Sequence, residues 1–249
     1  MSDKSPICVL VSGGLDSDVL LAEFALKYKK VWPLYIRQGL VWEKVELYWL
    51  AKFINELHRT PHPNPLPQGE RGRKKESPRP FWGRGSKGEG IQPLVVFSLP
   101  MSDVYGAHWS TGGKPAPGAR SVDSAVYLPG RNMILSVKAA VFAAMRRIPI
   151  LAIGSLDHNP FPDAAPTFYR RWGAALGSGL GRRLKVIAPY RHLSKAEVIV
   201  RGRHLPLELS FSCIAPRGKS HCGRCNKCAE RRRAFKAAGV KDQTIYASD

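Results

Sequence analysis

The chain has 249 residues, enough for one medium-sized domain with a small appendage, and 44% of them are hydrophobic, an ordinary share for a protein with a buried core. It contains no apolar run of about 18 residues or more, which excludes a typical membrane-spanning helix. Lysine and arginine number 39 against 19 aspartates and glutamates, for a formal net charge of +20. Such a charge favours anionic partners, nucleic acid among them.

Most of the positive charge lies near the C-terminus. Residues 182–249 contain 16 lysines and arginines against 5 acidic residues, whereas residues 1–59 contain 8 against 7. Three explanations stay open: a surface for nucleic-acid phosphates, compensation for thiolates bound to a zinc ion, and anionic small-molecule substrates. We take the last as the working interpretation, because net charge constrains function only loosely.

The N-terminus and the cysteines indicate the compartment. Residues 1–6 are polar and include Asp3 and Lys4, unlike a signal peptide. Four of the five cysteines lie between Cys213 and Cys228, which is typical of a metal site in a reducing compartment rather than of a disulfide framework. We therefore expect a cytoplasmic protein without a membrane partner.

Apolar runs and helical periods alternate along the chain. Predicted strands cover residues 7–11, 31–36, 94–97, 150–153 and 185–188, and predicted helices begin at residue 15 and cover residues 41–57, 132–145 and 194–203. Ser194 and Glu197 have the spacing of a capping box for the last of these helices. This alternation predicts an α/β fold, a parallel sheet with helices on both faces.

Two segments show no apolar period. Residues 60–90 are rich in proline, glycine and arginine and are predicted to form a disordered insertion in a surface loop. Residues 102–124 form a second long loop rich in glycine and proline, which is either a lid over a substrate or a variable connection.

The loop after the first strand combines two glycines with two serines, in the order Ser12-Gly13-Gly14-Leu15-Asp16-Ser17. The glycines permit positive φ and close approach of an anion to backbone N–H groups. The following helix adds its unpaired N–H groups and the positive end of its dipole. The loop therefore predicts a phosphate site, although it matches neither the Walker A motif nor the dinucleotide motif. A plain strand-to-helix turn is the alternative.

Four cysteines have the spacing Cys-x8-Cys-x2-Cys-x2-Cys; they are Cys213, Cys222, Cys225 and Cys228. Four thiolates form a closed tetrahedral shell, which predicts one structural Zn²⁺ per chain. An iron–sulfur cluster is the main alternative. We expect His221 to be a bystander beside a ligand, and Cys8, in a buried strand, to be an inert apolar residue.

The serine–glycine loop resembles the pyrophosphate loop of the N-type ATP pyrophosphatases. The resemblance implies a Rossmann-like, adenine nucleotide alpha hydrolase-like fold, and cleavage of ATP between its α and β phosphates to give AMP and pyrophosphate. The residues it implies for ATP binding are Val11, Ser12, Gly13, Gly14, Leu15, Asp16, Ser17 and Asp18. A carboxylate beside bound phosphates would repel them unless a cation intervened, so we expect Asp16 to place Mg²⁺, with capping of the helix as its alternative role.

The serine–glycine loop and the spacing of the four cysteines together resemble those of the 7-cyano-7-deazaguanine synthase family of the queuosine and archaeosine pathway. Further similar stretches are residues 127–132, 193–198, 206–213 and 222–235, so the resemblance covers nearly the whole chain outside residues 60–90 and 102–124. The family usually carries Tyr-Ser-Gly-Tyr-Pro-Asp-Cys-Arg after its fourth strand. Here Phe161, Pro162 and Asp163 keep the aromatic-Pro-Asp core, but the Cys-Arg pair is absent, which leaves another carboxylate substrate open.

The resemblance implies a two-stage reaction on 7-carboxy-7-deazaguanine, in which an acyl-adenylate reacts with ammonia and the amide is activated by a second ATP to give the nitrile. We expect Asp16, Arg131 and Lys195 to be catalytic, the two cations by neutralising phosphate or carboxylate charge. Asp163 is expected to hydrogen-bond the purine-like base. A helix-entry ion pair for Arg131, a solvated surface position for Lys195 and a turn position for Asp163 are the alternatives.

The same resemblance implies a division of the chain and its partners. Residues 1–205 would form the ATP pyrophosphatase domain and residues 206–249 a zinc-binding subdomain. The partners would be small molecules (ATP with Mg²⁺, ammonia and the carboxylated base) and a second copy of the chain, without nucleic acid.

Three other functions stay open. The net charge of +20 favours a tRNA-modifying enzyme of the same superfamily, which would adenylate a tRNA base, although the lack of a cysteine pair outside the metal cluster disfavours tRNA thiolation. A related ligase could amidate another carboxylate. A non-catalytic zinc module is the third.

Overall fold

The computed structural model describes residues 5–59, 90–157 and 159–247. Its strands are β1 Ile7–Leu10, β2 Lys30–Arg37, β3 Gly90–Ile91, β4 Val95–Ser98, β5 Ile150–Ile153 and β6 Lys185–Ile187. Its helices are α1 Leu15–Lys27, α2 Glu43–Arg59, α3 Ser102–Tyr105, α4 Arg131–Met145, α5 Pro166–Gly179, α6 Lys195–Arg201 and α7 Asn226–Ala238. Within the described ranges, no helix is both long enough and apolar enough to cross a membrane.

The strands form one parallel sheet in the order β3-β2-β1-β5-β6, with β4 also paired to β2. β1 is central, and Leu10 at its end pairs with Leu34 of β2 and Ile153 of β5. After β1 the chain first builds outward on the β2 side and later on the β5 side. The carboxyl ends of β1 and β5 therefore flank a topological switch point, the place where open α/β sheets bind ligands.

Helices cover both faces of the sheet, which confirms the predicted fold class. On one face Val9 of β1 packs with Leu20 of α1 and Phe53 of α2. On the other face Leu10 of β1 packs with Ala139 of α4. Because both faces are covered, the strands are almost wholly apolar.

Helix α5 was missed in the sequence. It begins at a proline and contains Gly173, Gly177 and Gly179, which give it low intrinsic helix propensity. Two of these glycines are required by packing, because a Cβ at Gly173 would lie 2.9 Å from the backbone nitrogen of Val186 in β6 and a Cβ at Gly177 would lie 2.8 Å from the Arg182 carbonyl oxygen. The other predicted elements are present with shifts of one or two residues at their ends, and the capping box of Ser194 and Glu197 is formed.

The two unpatterned segments have different outcomes. The predicted insertion lies outside the described residues except for its last residue, Gly90. This residue belongs to β3 and pairs with Lys30 of β2. The segment of residues 102–124 contains α3 and packs on the rest of the protein. Trp109 stacks on Trp42 with ring centroids 5.4 Å apart, and the Asn226 backbone N–H donates to the Pro117 carbonyl at 2.9 Å.

Candidate nucleotide site and metal centre

The loop between β1 and α1 lies at the switch point, and its shape depends on Gly13. The φ angle of Gly13 is +74°, a conformation that side chains with a Cβ rarely adopt. A Cβ there would also lie 3.1 Å from the Glu46 carbonyl oxygen. Gly14 is the N-cap of α1 with an ordinary φ of −82°, and no side chain caps the helix. The N-terminal N–H groups of α1 are therefore available to an anion.

Two serines hold this loop in place. The Ser12 backbone N–H donates to Ser17 Oγ at 3.1 Å, and Ser17 Oγ donates to the Gly14 carbonyl at 3.1 Å. Outside the loop, the backbone of Gly154 after β5 approaches so closely that a Cβ there would lie 3.1 Å from the nitrogen of Ser17. These contacts fix the shape of the loop.

Two adjoining cavities of about 170 and 250 Å³ open on this loop. The residues that line both are Ser12, Gly14, Asp16, Arg131 and Asn132. The first cavity extends between β1, β2 and β5, and the second extends toward α2, α6 and α7. The two cavities therefore lie between the carboxyl edge of the sheet and the C-terminal region of the chain.

A chain of alternating charges lies along the second cavity, and three of its four residues, Asp16, Lys195 and Lys227, line that cavity. Lys195 Nζ lies 3.6 Å from Asp16 Oδ2 and 2.7 Å from Glu230 Oε1, and Lys227 Nζ lies 2.7 Å from Glu230 Oε2. Burial lowers the pKa of Lys195, but the two carboxylates outweigh it and raise that pKa above its usual value. Burial works against the charge of Glu230 too, yet the two lysines lower its pKa to about 2. Lys195 is therefore a largely buried cation beside the loop of residues 12–17 and not a solvated surface lysine.

Arg131 and Asp163 both lie at the N-terminus of α4. Arg131 Nε donates to Gln38 Oε1 at 3.2 Å, and its side chain lines both cavities. Asp163 Oδ2 accepts a hydrogen bond from the Asn132 backbone N–H at 2.8 Å, so this carboxylate anchors the first turn of α4. Asp163 also lines the second cavity, where contact with a base remains a prediction.

The four cysteines of the C-terminal region converge. Their sulfur atoms all lie within 4.8 Å of one another, and all four residues are buried. The Cys213–Cys225 and Cys222–Cys228 sulfur distances are 3.8 and 3.9 Å, and a tetrahedral ion with bonds of about 2.3 Å requires a sulfur separation of about 3.8 Å. The cluster therefore has the dimensions of a metal site.

Neighbouring residues support this cluster. Backbone N–H groups donate to its sulfur atoms, among them that of Cys222 to Cys213 Sγ at 3.3 Å, and Gly218 and Gly223 turn the chain with positive φ. His221 lies outside the ligand group, because its Nε2 accepts from the Ser212 backbone N–H at 3.2 Å.

Buried Arg231 connects the region of the four cysteines to the loop of residues 12–17. This residue of α7 is 1% exposed, and its guanidinium donates to Ser210 Oγ at 2.9 Å and to the Leu207 carbonyl at 2.8 Å. In the same segment the Phe211 backbone N–H donates to the Gly13 carbonyl. Helix α7, which contains the last of the four cysteines, is thus joined to the loop at the end of β1.

Three comparisons with known proteins show which proteins this chain is similar to. The family model described as "Queuosine biosynthesis protein QueC" matches residues 117–239. The 7-cyano-7-deazaguanine synthase of Methanococcus maripaludis strain S2 is 34% identical over 158 residues, which cover 55% of this chain and 67% of the relative. The chain belongs to the 7-cyano-7-deazaguanine synthase family. The members of this family are ligases, and the family takes part in queuosine biosynthesis.

Other similar proteins cover more of the chain. The 7-cyano-7-deazaguanine synthase of Leptospira interrogans serovar copenhageni is 27% identical over 251 residues, 97% of this chain and 91% of the relative. Among solved structures, a 4-thiouridine synthetase in complex with RNA and ATP has a TM-score of 0.44 and 11% identity, over 94% of this chain and 50% of that one. That structural likeness is too low to support a further conclusion.

Not every residue expected from the family resemblance reaches a cavity. Val11 and Ser17 line the first cavity, Leu15, Lys195 and Asp163 the second, and Ser12, Gly14, Asp16 and Arg131 line both. Gly13 shapes the loop without lining either cavity. Asp18 is fully buried, and burial raises its pKa well above the usual value. Contact of these residues with ATP remains a prediction for this family member.

Sequence reasoning missed three charged residues of the second cavity region. Glu46 belongs to α2, and Lys227 and Glu230 belong to α7 beside the cysteines. The only signal in the sequence was the i,i+3 spacing of Lys227 and Glu230, which indicates a helical ion pair but not its neighbours. Cys8, by contrast, is buried as expected, and burial raises the pKa of its thiol to about 12.

Replacing Gly13 by alanine should destabilise the protein and weaken ATP binding. Positive φ and the contact with the Glu46 carbonyl together should cost about 1–3 kcal/mol of unfolding free energy, as measured by urea denaturation. Gly179→Ala is the matched control, because a Cβ there meets no atom within 4 Å. Equal stabilities of the two variants would contradict the role of Gly13.

Proposed function

We propose that this protein is the ATP-dependent ligase that converts 7-carboxy-7-deazaguanine and ammonia to 7-cyano-7-deazaguanine, with release of AMP and pyrophosphate at each stage. The observation that carries the proposal is the surroundings of the uncapped N-terminus of α1. Lys195 and Arg131 both line the cavity that opens on it. The family to which the chain belongs is consistent with this activity.

In this proposal the loop of residues 12–17 holds the outer phosphates of ATP and leaves the α phosphorus open to the substrate carboxylate. Asp16 would place Mg²⁺. One of its oxygens, Oδ1, is buried and has no hydrogen-bond partner among the described residues, and such a carboxylate oxygen next to a phosphate site suits a hard divalent cation. Cys213, Cys222, Cys225 and Cys228 would hold the structural Zn²⁺.

The chemistry explains the need for these charges. A carboxylate resists attack by ammonia because its leaving group would be oxide, and adenylation replaces oxide by AMP. Arg131 and Lys195 would neutralise the charge that develops on the phosphates and on the carboxylate. Partly enclosed cavities would limit hydrolysis of the adenylate by water. Asp163 would contact the base while it anchors α4.

Several features of the whole protein belong to the same proposal. Residues 1–205 would bind ATP and residues 206–249 would hold the metal. We also propose a cytoplasmic homodimer, and sedimentation equilibrium at several concentrations would measure its oligomeric state.

The reaction can be tested directly. Incubation with ATP labelled at the α phosphate, ammonium and the carboxylated base should release labelled AMP, and the mass spectrum of the product should show the nitrile. The control without the carboxylated base should release none. ADP and orthophosphate as products would overturn the proposal, and another amide or nitrile would identify another carboxylate as the substrate.

Adenylation of a tRNA base is the second candidate, favoured by the 16 cations against 5 acidic residues in residues 182–249. A filter-binding assay with tRNA at increasing salt would test it. Tight binding that falls steeply with salt, together with AMP release that requires tRNA, would replace the first proposal by this one.

A further inference from the structure

A buried glutamate stands between the two cavities. Glu46 is 7% exposed and lines the second cavity. Its Oε2 accepts a hydrogen bond of 2.6 Å from the hydroxyl of Tyr35, and Tyr35 lines the first cavity. The pair therefore spans the wall between the cavities, close to Arg131, which lines both.

The surroundings of Glu46 come from four elements. The groups that face it are Tyr35 of β2, Arg131 of α4, Asp18 of α1, Glu43 of α2 and the indole of Trp42 just before α2. Burial raises the pKa of Glu46 to about 7, against the lowering effect of Arg131 and of the hydrogen bond from Tyr35. This carboxyl therefore changes its charge near neutral pH, which is where a general base works best.

The proposed reaction needs such a group. When ammonia adds to the acyl-adenylate, the new C–N bond leaves a cationic nitrogen that must lose a proton before AMP departs with its electron pair. In the second stage the amide oxygen displaces pyrophosphate from ATP. The nitrogen then loses its two remaining protons as the C–O bond breaks, the C≡N bond forms and AMP leaves. No oxidant or reductant is involved, but each proton needs an acceptor.

We propose that Glu46, held by Tyr35, accepts protons from the substrate nitrogen during amide and nitrile formation and passes them to water. The inference rests on the proposed function and adds to it the residue that carries the proton transfers. The other carboxylates that line the two cavities in the described part of the chain, Asp16 and Asp163, already have charged or hydrogen-bonded partners. Asp16 pairs with Lys195, and Asp163 anchors the N-terminus of α4.

The decisive variant is Glu46→Gln, since glutamine keeps the size of the side chain and can still accept the Tyr35 hydrogen bond. Two reactions are compared: exchange of labelled pyrophosphate into ATP, which reports adenylation of the carboxylate, and formation of amide and nitrile from ammonium. Exchange should stay within about twofold of the unsubstituted protein, whereas nitrile formation should fall by about 10²–10⁴-fold. Glu208→Gln, at an exposed position, is the matched control and should change neither reaction.

The pH profile separates catalysis from support. A base must be ionised to accept a proton, so at a constant concentration of free ammonia nitrile formation should rise with pH through about 7 in the unsubstituted protein. Glu46→Gln should lose this rise with pH. Glu46→Asp should have part of the original activity and should still show the rise with pH. Glu46→Asp alone decides the question if the glutamine variant does not fold, because loss of the rise in a folded aspartate variant would overturn the inference.

A purely structural role for Glu46 predicts a different result. Both reactions would then fall together in Glu46→Gln, with an unchanged pH profile, and this would overturn the inference. The same holds if Glu46→Gln forms nitrile at the original rate. Failure of the unsubstituted protein to release AMP from any carboxylate would instead overturn the proposed function, so the two failures are distinguishable.

Discussion

Replacement of Lys195 by methionine is expected to lower kcat/KM for nitrile formation by about 10²–10³-fold, the usual effect of removing one charged group aimed at a developing anion. The ammonium of Lys195 lies 3.6 Å from Asp16 in the loop of residues 12–17, and both residues line the second cavity. Methionine fills a similar volume but carries no charge. Adenylation should therefore be lost together with the overall reaction, because in the proposed mechanism this cation acts at the phosphates of ATP.

The same substitution should also destabilise the fold. It leaves Asp16 and Glu230 without their shared cation, and unpairing a buried charge costs up to about 3–5 kcal/mol. The cost should fall at the lower end of this range, because Glu230 keeps its 2.7 Å pair with Lys227 and the side chains of Asp16 and Glu230 are 22% and 24% exposed. Thermal unfolding must therefore be measured beside activity, at a temperature where the variant remains folded.

Two controls make this result specific. Lys195→Arg keeps the charge and should retain more activity than the methionine variant. Lys185→Met removes an exposed lysine from β6 at the far edge of the sheet and should leave both activity and stability unchanged. If Lys195→Met exchanged pyrophosphate at the original rate, this would contradict the proposed binding position of the phosphates beside Lys195.

The parts of the site that could be predicted from the sequence are local ones. Gly13 and Gly14 follow a buried strand and precede a helix, so chain order alone places them at the carboxyl edge of the sheet. The spacing of the cysteines specifies their convergence in the same way, because few loops can bring four thiolates so close without a common ion. The capping box at Ser194 is likewise a property of four consecutive residues.

The parts that were missed depend on contacts between distant segments. Helix α5 is glycine-rich because it packs against β6, and this requirement is invisible until the neighbour is known. The sequence places Glu46 among the polar positions of an amphipathic helix, which are usually exposed. In the structure its side chain is buried and contacts Tyr35 beside the second cavity. Glu230 meets Lys195 only because α6 and α7 pack together. A single sequence without relatives contains no signal for such pairs.

Replacement of Cys228 by serine should abolish binding of the proposed metal and disable the loop of residues 12–17, although none of the four cysteines lies in that loop. Two routes connect them. Arg231, one turn after Cys228 in α7, binds the segment whose Phe211 N–H holds the Gly13 carbonyl. Glu230, also in α7, holds Lys195 beside Asp16. If the metal fixes the start of α7, its loss should release both contacts.

The expected result has three measurable parts. Elemental analysis should find one zinc per chain in the original protein and none in Cys228→Ser. The melting temperature should fall by about 10 °C or more, since structural zinc contributes directly to folding and about 3 kcal/mol corresponds to a shift of that size in a domain of about 200 residues. Pyrophosphate exchange should be lost at temperatures where the original protein is active.

Cys8→Ala is the matched control, because Cys8 is a fully buried cysteine in β1 and lies outside the metal cluster. It should retain one zinc and full exchange activity, with at most a modest fall in stability from the lost packing. Iron and sulfide in place of zinc would show that the cluster holds an iron–sulfur centre. A zinc-free Cys228→Ser protein with the original exchange rate would show that the loop at the end of β1 keeps its shape without the metal, and the coupling through Arg231 and Glu230 would be refuted.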